Sequence, residues 1–289
     1  MAFTIPDIEL DRIAELVVAG KSHRDAWLPI VGKRKSGFSN PEGSVDLANR
    51  EMPTNAPEML NEVRRDVRAL LRDPSVRIIV ADSIYYPRRL SDLDGHPAVL
   101  FVRGDFCESS ESTLAIVGSR AASEAGLRAA QLVAGVAAEM GHVIVSGLAL
   151  GIDSAGHLGA LNAGGQTIAV MGTGLGQLSP IQHQELAHRI VQQGALLTQF
   201  PPKHPPTKTT FPARNVLIAG LSDVSLVIEM NERSGTRIEA DCAIAQGKRV
   251  LLWAPILEPH DWARKIAEHP QVAFVETEEE VLIELAAQS

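Results

Sequence analysis

The sequence predicts an α/β fold: a mostly parallel sheet with helices on both faces, entered through a small helical region at the N-terminus. Three observations predict it. From residue 76 onward, apolar runs of strand length recur, rich in Val and Ile. Segments with helical apolar spacing separate them, the alternation that leaves parallel strands buried beneath helices on either side. Several runs end in glycine turns, at the strand ends where ligands gather in an open sheet of this kind. Together these describe an extended Rossmann-like architecture.

Residues 1–75 make up the helical N-terminal region. "PDIELDRIAELVVAG" starts near Pro6, keeps helical apolar spacing and stops at Gly20. "KRKSGFSNPEGS" (33–44) is polar and turn-rich, and reads as a loop. "APEMLNEVRRDVRALLRD" is an amphipathic helix. Its Arg64, Arg65, Arg68 and Arg72 either meet a polyanion or form a solvated face paired with Glu62 and Asp66, the simpler reading.

Residues 76–289 make up the Rossmann-like domain. "VRIIVAD", "AVLFVRGD", "LAIVGSR", "HVIVSG", "QTIAVMG", "GALLTQF", "VSLVIEM", "RVLLWAP" and "VAFVET" read as strands. "SEAGLRAAQLVAGVAAEMG" (123–141) and "GTRIEADCAIAQG" (235–247) read as helices between them. The last segment, "ETEEEVLIELAAQS", is an acid-capped helix that closes the domain and leaves no room for a further module.

The charge balance bounds the partners. Lys plus Arg is 27 against 35 for Asp plus Glu, a net charge of −8 over 289 residues. That argues against polyanion binding over the whole surface and leaves room for a local basic groove. Cys107 and Cys242 are the sole cysteines and lie far apart, so neither a disulfide framework nor a zinc motif is present. The N-terminus does not read as a signal peptide, and no apolar run reaches bilayer-spanning length. The expectation is a soluble, cytoplasmic protein without membrane contact.

Three strand ends carry the candidate chemistry. "AIVGSR" supplies Gly118, Ser119 and Arg120; "VIVSGLALGIDSAGH" supplies Ser146, Gly147, Gly151, Asp153 and His157; "IAVMGTGLGQL" supplies Gly172, Gly174 and Gly176. Glycine lets the backbone approach a ligand, the helix start that follows favours an anion, and Arg120 adds a guanidinium fork for phosphate. Each turn alone is as readily a tight strand-to-helix connection; their convergence points to phosphate. Neither G-x-G-x-x-G nor a P-loop occurs. Asp153 and His157 make either a catalytic or metal pair or, more simply, a helix cap and a histidine bonded to a neighbouring turn. His183 and His188 flank Glu185 without H-E-x-x-H spacing, so no metal or organic cofactor is expected. "TKTTFPARNVLIAGLSD" (207–223) adds Lys208, Phe211, Arg214 and Asn215 before an apolar helical run. Phe211 is either a core aromatic or an exposed stacking face.

"YYPRRLSDLDGHPAVLFVRGD", "LAIVGSR", "VSGLALGIDSAGHLGAL", "GGQTIAVMGTGL", "FPARN" with "IAGLSD", and "SGT" followed by "AIAQGKRVLLWAP" occur in that order. In order and spacing this series resembles the DNA-processing protein A (DprA/Smf) family over roughly residues 85–255. The resemblance implies a non-catalytic, dimeric protein that binds single-stranded DNA and loads a RecA-type recombinase onto it in transformation. It implies that the Gly118-Ser119-Arg120 turn, with Gly147, and the block from Lys208 through Phe211, Arg214 and Asn215 line the strand groove. Ser234, Gly235 and Thr236 would hold a further phosphate at a helix start. "RVLLWAP" and the terminal helix would supply a dimer edge. The sequence departs from the usual family pattern at Thr198-Gln199, at Val216, and in "SGTRIEADCA", which brings in Arg237, Glu239 and Asp241; this marks a divergent member.

"SGTRIEA" also resembles the Gly-Thr-x-x-Glu end of the motif of cytokinin-activating, LOG-type phosphoribohydrolases, with Gly235, Thr236 and Glu239 at the matching spacing. That resemblance implies phosphate held by Thr and glycine while a carboxylate helps a glycosidic bond break. The full Pro-Gly-Gly-x-Gly-Thr block is replaced by "NERSGT", which leaves Glu239 as an exposed helix acid. The alternative to a DNA-binding protein is thus a nucleotide-binding sensor or phosphoribohydrolase.

Overall fold

A computed structural model describes residues 7–21, 56–93, 95–106, 112–230 and 235–288. The loop expected at 33–44, Cys107 and Ser234 lie outside the described residues.

The strands are β1 (Val76–Val80), β2 (Val99–Gly104), β3 (Thr113–Gly118), β4 (Val143–Ser146), β5 (Thr167–Val170), β6 (Ala195–Thr198), β7 (Val224–Glu229), β8 (Arg249–Trp253) and β9 (Val272–Val275). Among the described residues they form one nine-stranded sheet in the order β1-β2-β6-β5-β4-β3-β7-β8-β9. Every pair from β6 to β9 is parallel. At the margin β2 runs antiparallel to both β6 and β1, opposing Phe101 to Thr198 and Ile78 to Phe101. Strand-length apolar runs carry no direction, so this margin was not legible in the sequence.

The order places the site. The chain winds outward from β3 through β4, β5 and β6, then returns to lay β7 on the other edge of β3. The strand order reverses at that point. A reversal opens a crevice at the carboxyl ends of the two strands, because their connections leave towards opposite faces.

The helices are α1 (Asp7–Lys21), α2 (Ala56–Leu70), α3 (Arg88–Ser91), α4 (Glu124–Glu139), α5 (Ile152–Asn162), α6 (Gln184–Gln193), α7 (Thr210–Leu221), α8 (Gly235–Ala245), α9 (Ala254–Leu257), α10 (Asp261–Ala267) and α11 (Glu278–Ala286). On one face Ile116, Ile144 and Leu226 of the strands pack with Ala130, Val133 and Ile152 of α4 and α5. On the other, Val117, Val145 and Val227 pack with Leu217 of α7 and Ala240 of α8. Alternate strand residues face opposite layers, which is why the runs read as continuously apolar. Leu10 and Ala14 of α1 and Val63 and Val67 of α2 share a core with Phe101, Leu196 and Ile190.

Local chemistry fixes the helices that flank the crevice. Ser123 caps α4, its hydroxyl accepting the Gly126 N–H at 3.1 Å. Small residues then bring α5 against α4: a Cβ on Gly159 would lie 2.4 Å from the Gln131 carbonyl oxygen. At the opposite end of the sheet, Asp223 accepts Arg89 Nε and Nη2 at 2.9 Å each and the Thr113 N–H at 2.8 Å. This bidentate pair ties α3 to the starts of β3 and β7.

The dimer edge expected from "RVLLWAP" is corrected. That stretch is β8, bonded on both sides by β7 and β9, and Trp253 is buried. A strand with both edges paired offers no backbone to a second copy. Among the described residues, no helix is long and apolar enough to cross a membrane.

Candidate functional site

At the β3/β7 reversal lies a pocket of about 380 Å³, lined by residues that include Gly118, Ser119, Arg120, Phe211, Arg214 and Glu239. The turns expected to converge do so in part. Arg120 follows β3 and is exposed; among the described residues no carboxylate lies within ion-pair distance of it. Its guanidinium carbon sits 5.1 Å from the centre of the Phe211 ring. Phe211, in the first turn of α7, is half-buried, neither sealed in the core nor fully exposed. Gly172 seats the ring, since a Cβ there would come within 2.8 Å of Phe211 Cδ1.

Arg214 departs from its expected place on a surface phosphate. It is 5% exposed. Its Nη1 donates to the carbonyls of Gly147 and, at 3.2 Å, Val170, and lies 3.9 Å from Asp153 Oδ2. Helical geometry explains the turn inward: three residues after Phe211, on the same side of α7, a long side chain points over the ends of β4 and β5. Gly147 is required by this approach, because a Cβ would fall 1.5 Å from Arg214 Nη1. Gly147 thus makes room for Arg214, and its own N–H goes to Asp153 Oδ2 at 3.2 Å. Asn215 is also buried and lines the pocket. Lys208 is exposed on the loop before α7 and does not line it.

Two backbone donors of the first turn, those of Ser119 and Ala121, are already engaged. Ser119 N–H bonds the Glu229 carbonyl at 2.6 Å, and the Ser119 hydroxyl accepts the Ala121 N–H. The start of α4, where an anion was expected, is served by the chain's own carboxylate: Glu229 accepts the Ser123 hydroxyl at 2.6 Å and the Ser123 N–H at 3.0 Å. Gly118 serves packing, as a Cβ would lie 2.4 Å from Ile152. The third turn is structural as well, with Gly174 and Gly176 donating to the carbonyls of His204 and Pro202. Of the phosphate ligands expected here, the Arg120 side chain is the charged donor at the pocket mouth. Ser234 lies outside the described residues, and Gly235 and Thr236 are described only as the backbone that opens α8.

Asp153 and His157 both make structural bonds, but not those expected: α5 is capped by Gly151 without a side-chain bond, Asp153 lies inside the helix, and His157 meets a strand residue rather than a turn. Asp153 accepts loop amides from Gly147 and Ala149. Burial pushes its carboxyl up, against the pull of Arg214 and those amides. His157 Nδ1 meets Thr167 Oγ1 at 2.7 Å, and that hydroxyl donates onward to the Ile144 carbonyl. The histidine therefore carries its proton on Nδ1, and burial, with His183 and Arg214 adding to it, pushes its pKa down to about 3. Among the described residues there is no group of three metal-ligating side chains.

Glu239 is the residue that the sequence misplaced. It is 1% exposed rather than an exposed helix acid. Its Oε1 accepts the Ser225 hydroxyl at 2.9 Å, and burial raises its pKa to about 7. The spacing held a signal: Cys242 and Ala243, three and four residues on, are buried, so Glu239 shares the core-facing stripe of α8.

DNA recombination-mediator protein A is the family whose pattern matches, over residues 77–284. This chain belongs to that family. Among relatives of the family, Protein Smf of Escherichia coli (strain K12) is 40% identical over 220 residues, 74% of this chain and 58% of that protein. DNA processing protein DprA of Streptococcus pneumoniae is 40% identical over 167 residues, 57% of this chain and 58% of that one. The chain thus spans about 58% of the length of these curated relatives. The X-ray structure of DprA from Streptococcus pneumoniae superposes with a TM-score of 0.75 at 29% identity, covering 99% of both chains. DNA processing protein A from Helicobacter pylori, solved for its single-stranded DNA binding mode, superposes with a TM-score of 0.64 at 25% identity, over 73% of this chain and 96% of that one.

Proposed function

We propose that this member of the DNA recombination-mediator protein A family binds single-stranded DNA without regard to sequence, as a non-catalytic protein. Arg120 and Lys208 take phosphates, Phe211 stacks on a base, and Arg214 and Gly147 hold the wall behind them. The observation that carries the reading is the pairing of an exposed arginine, without a carboxylate partner among the described residues, with a half-buried aromatic ring at the pocket mouth. Stacking is sequence-tolerant because every base has a π face, and a backbone phosphate follows within reach of a neighbouring cation. The Helicobacter pylori relative studied for its single-stranded DNA binding supports it. The further roles we assign are protection of single strands and their transfer to a RecA-type recombinase in transformation, by a cytoplasmic homodimer. Ser234, Gly235 and Thr236 remain our candidates for another phosphate.

Fluorescence titration of a labelled oligothymidylate at several salt concentrations tests the reading. Each phosphate contact contributes about 0.7 to the logarithmic salt slope for single strands, so Arg120→Ala should flatten the slope by about that amount. Phe211→Ala should weaken binding by about 1–3 kcal/mol for each base it stacks. Wild-type affinity and slope in both variants would remove the model.

A further inference from the structure

The basic face of α2 stands apart from the crevice and has no part in the proposed function. A groove of about 510 Å³ runs along it, lined by Asn61, Arg64, Arg65, Arg68 and Arg72, with Asp66 and Ala69 between them and Lys203 joining from the segment after β6. Five cations thus meet one carboxylate, in a chain whose net charge is −8. That carboxylate is already engaged: Asp66 is buried, and its Oδ1 accepts Lys203 Nζ at 2.7 Å and lies 3.7 Å from Arg65 Nε. Arg64 is half-buried and paired with Asp11 of α1 at 2.6 Å, so it serves the packing of the two helices. Arg65, Arg68 and Arg72 are exposed, and Glu62, the other partner expected for them, does not line the groove. Their i, i+3, i+7 spacing sets them on one side of the helix over about 10 Å.

We propose that this groove is a second DNA-binding surface, which holds the phosphate backbone of a strand by charge alone where the strand runs on from the crevice. A row of guanidinium forks suits a linear polyanion, since one compact anion would meet only part of the row. The lining decides the class of polyanion. It holds no aromatic side chain and no aliphatic one larger than that of Ala69, so it lacks the apolar anchors on which binding of an acidic protein segment would turn. Contacts to a nucleic-acid backbone need none. Placement says which strand. Lys203 and Lys208 are five residues apart on the segment that enters α7, so their Cα atoms are no more than about 18 Å from one another. Gly174 and Gly176 pin that segment by donating to the His204 and Pro202 carbonyls, and Asp66 fastens Lys203 to α2. The segment thus links the groove to the first turn of α7, where Phe211 meets the crevice. Asp66 is a positioning residue that draws Lys203 onto the row of arginines. The choice of strand rests on reading the crevice as the single-strand site.

Titration of the full chain with two labelled oligothymidylates tests it, a short one of about 6 nucleotides, enough for one site, and a long one of about 30. The triple variant Arg65→Gln, Arg68→Gln, Arg72→Gln alters exposed side chains only. It should bind the short strand as the wild type does and the long strand at least tenfold more weakly at low salt. Its logarithmic salt slope on the long strand should be flatter by about 2, from about 0.7 for each of three contacts. Should the triple variant melt early, Arg72→Gln alone reads the same effect at one contact, a change of about 0.7. Wild-type affinity and slope for the long strand overturn the proposal. An equal loss on a duplex of the same length overturns the run-on strand, because a duplex carries the same phosphates without entering the crevice. Equally tight, arginine-dependent binding of poly-L-glutamate overturns DNA as the occupant and gives the groove to an acidic protein segment. Arg120→Ala separates the two readings, since it should weaken both strands. If it weakens both while the triple variant matches the wild type, the groove fails alone; if it weakens neither while the triple variant loses the long strand, the crevice reading fails and the groove remains a backbone site.

Discussion

Burial first, and the nearby Asp153 second, hold the Glu239 carboxyl in its protonated form, against the opposing pull of the Ser225 hydroxyl and of Arg214. Its ordinary value of 4.5 rises to about 7 in the folded protein. Between those values the folded chain keeps a proton that the unfolded chain has lost, so stability falls as pH rises through the window and levels off above it. At pH 8 the deficit is on the order of 3 kcal/mol, taking about 1.4 kcal/mol for each unit. Glu239→Gln cannot titrate and should therefore gain on the wild type as pH rises. Urea unfolding of both proteins at pH 5 and pH 8 measures the gain; an identical difference at both values would contradict a raised carboxyl.

At the scale of elements, the site depends on how closely α7 approaches the ends of β4 and β5. Gly147→Ala illustrates it. The new Cβ would fall on the Arg214 guanidinium, which must leave its two carbonyls and its place beside Asp153. Breaking a buried pair costs about 3–5 kcal/mol, so this single methyl should lower the melting temperature by several degrees and weaken DNA binding although it adds no charge. Unchanged melting would mean that Arg214 has an alternative seat. Much of this level was legible in the sequence. Alternating apolar runs and helical segments carry their own periodicity, and the turn after β3 delivered Arg120 to the pocket. The orientation of side chains around α7 was less so. "FPARN" offers Arg214 as a surface cation, because nothing local says that the helix lies over two strand ends. Glu239 misled in the same way, since the depth of α8 is set by β7 and β8 rather than by its own residues.

For the molecule as a whole, the crevice and the Asp223 fastening stand at opposite ends of the central strands. Burial works against the Asp223 carboxylate, but its bonds to Arg89 and Thr113 outweigh it and hold its pKa below the ordinary 3.8. A depressed carboxylate contributes stability in full above its unfolded value and loses it as pH falls through the folded one. Asp223→Asn should therefore destabilise the protein at neutral pH and flatten the acid side of its stability profile, with the proposed DNA affinity at pH 8 unchanged. Thermal melts from pH 2 to 7 read the first effect, and a drop in affinity at pH 8 would deny the independence of the two ends. The net charge of −8 adds a constraint at this scale: in the proposed reading, attraction to DNA rests on local cations such as Arg120 and Lys208, so binding should favour single strands that can reach them. The return of the chain from β6 to β7 also has a bearing on biosynthesis. Arg120 leaves the ribosome early and Glu239 late, so a nascent chain finished through α7 still has an unclosed wall. In the proposed reading, a single strand would meet a complete pocket wall only once synthesis has passed α8.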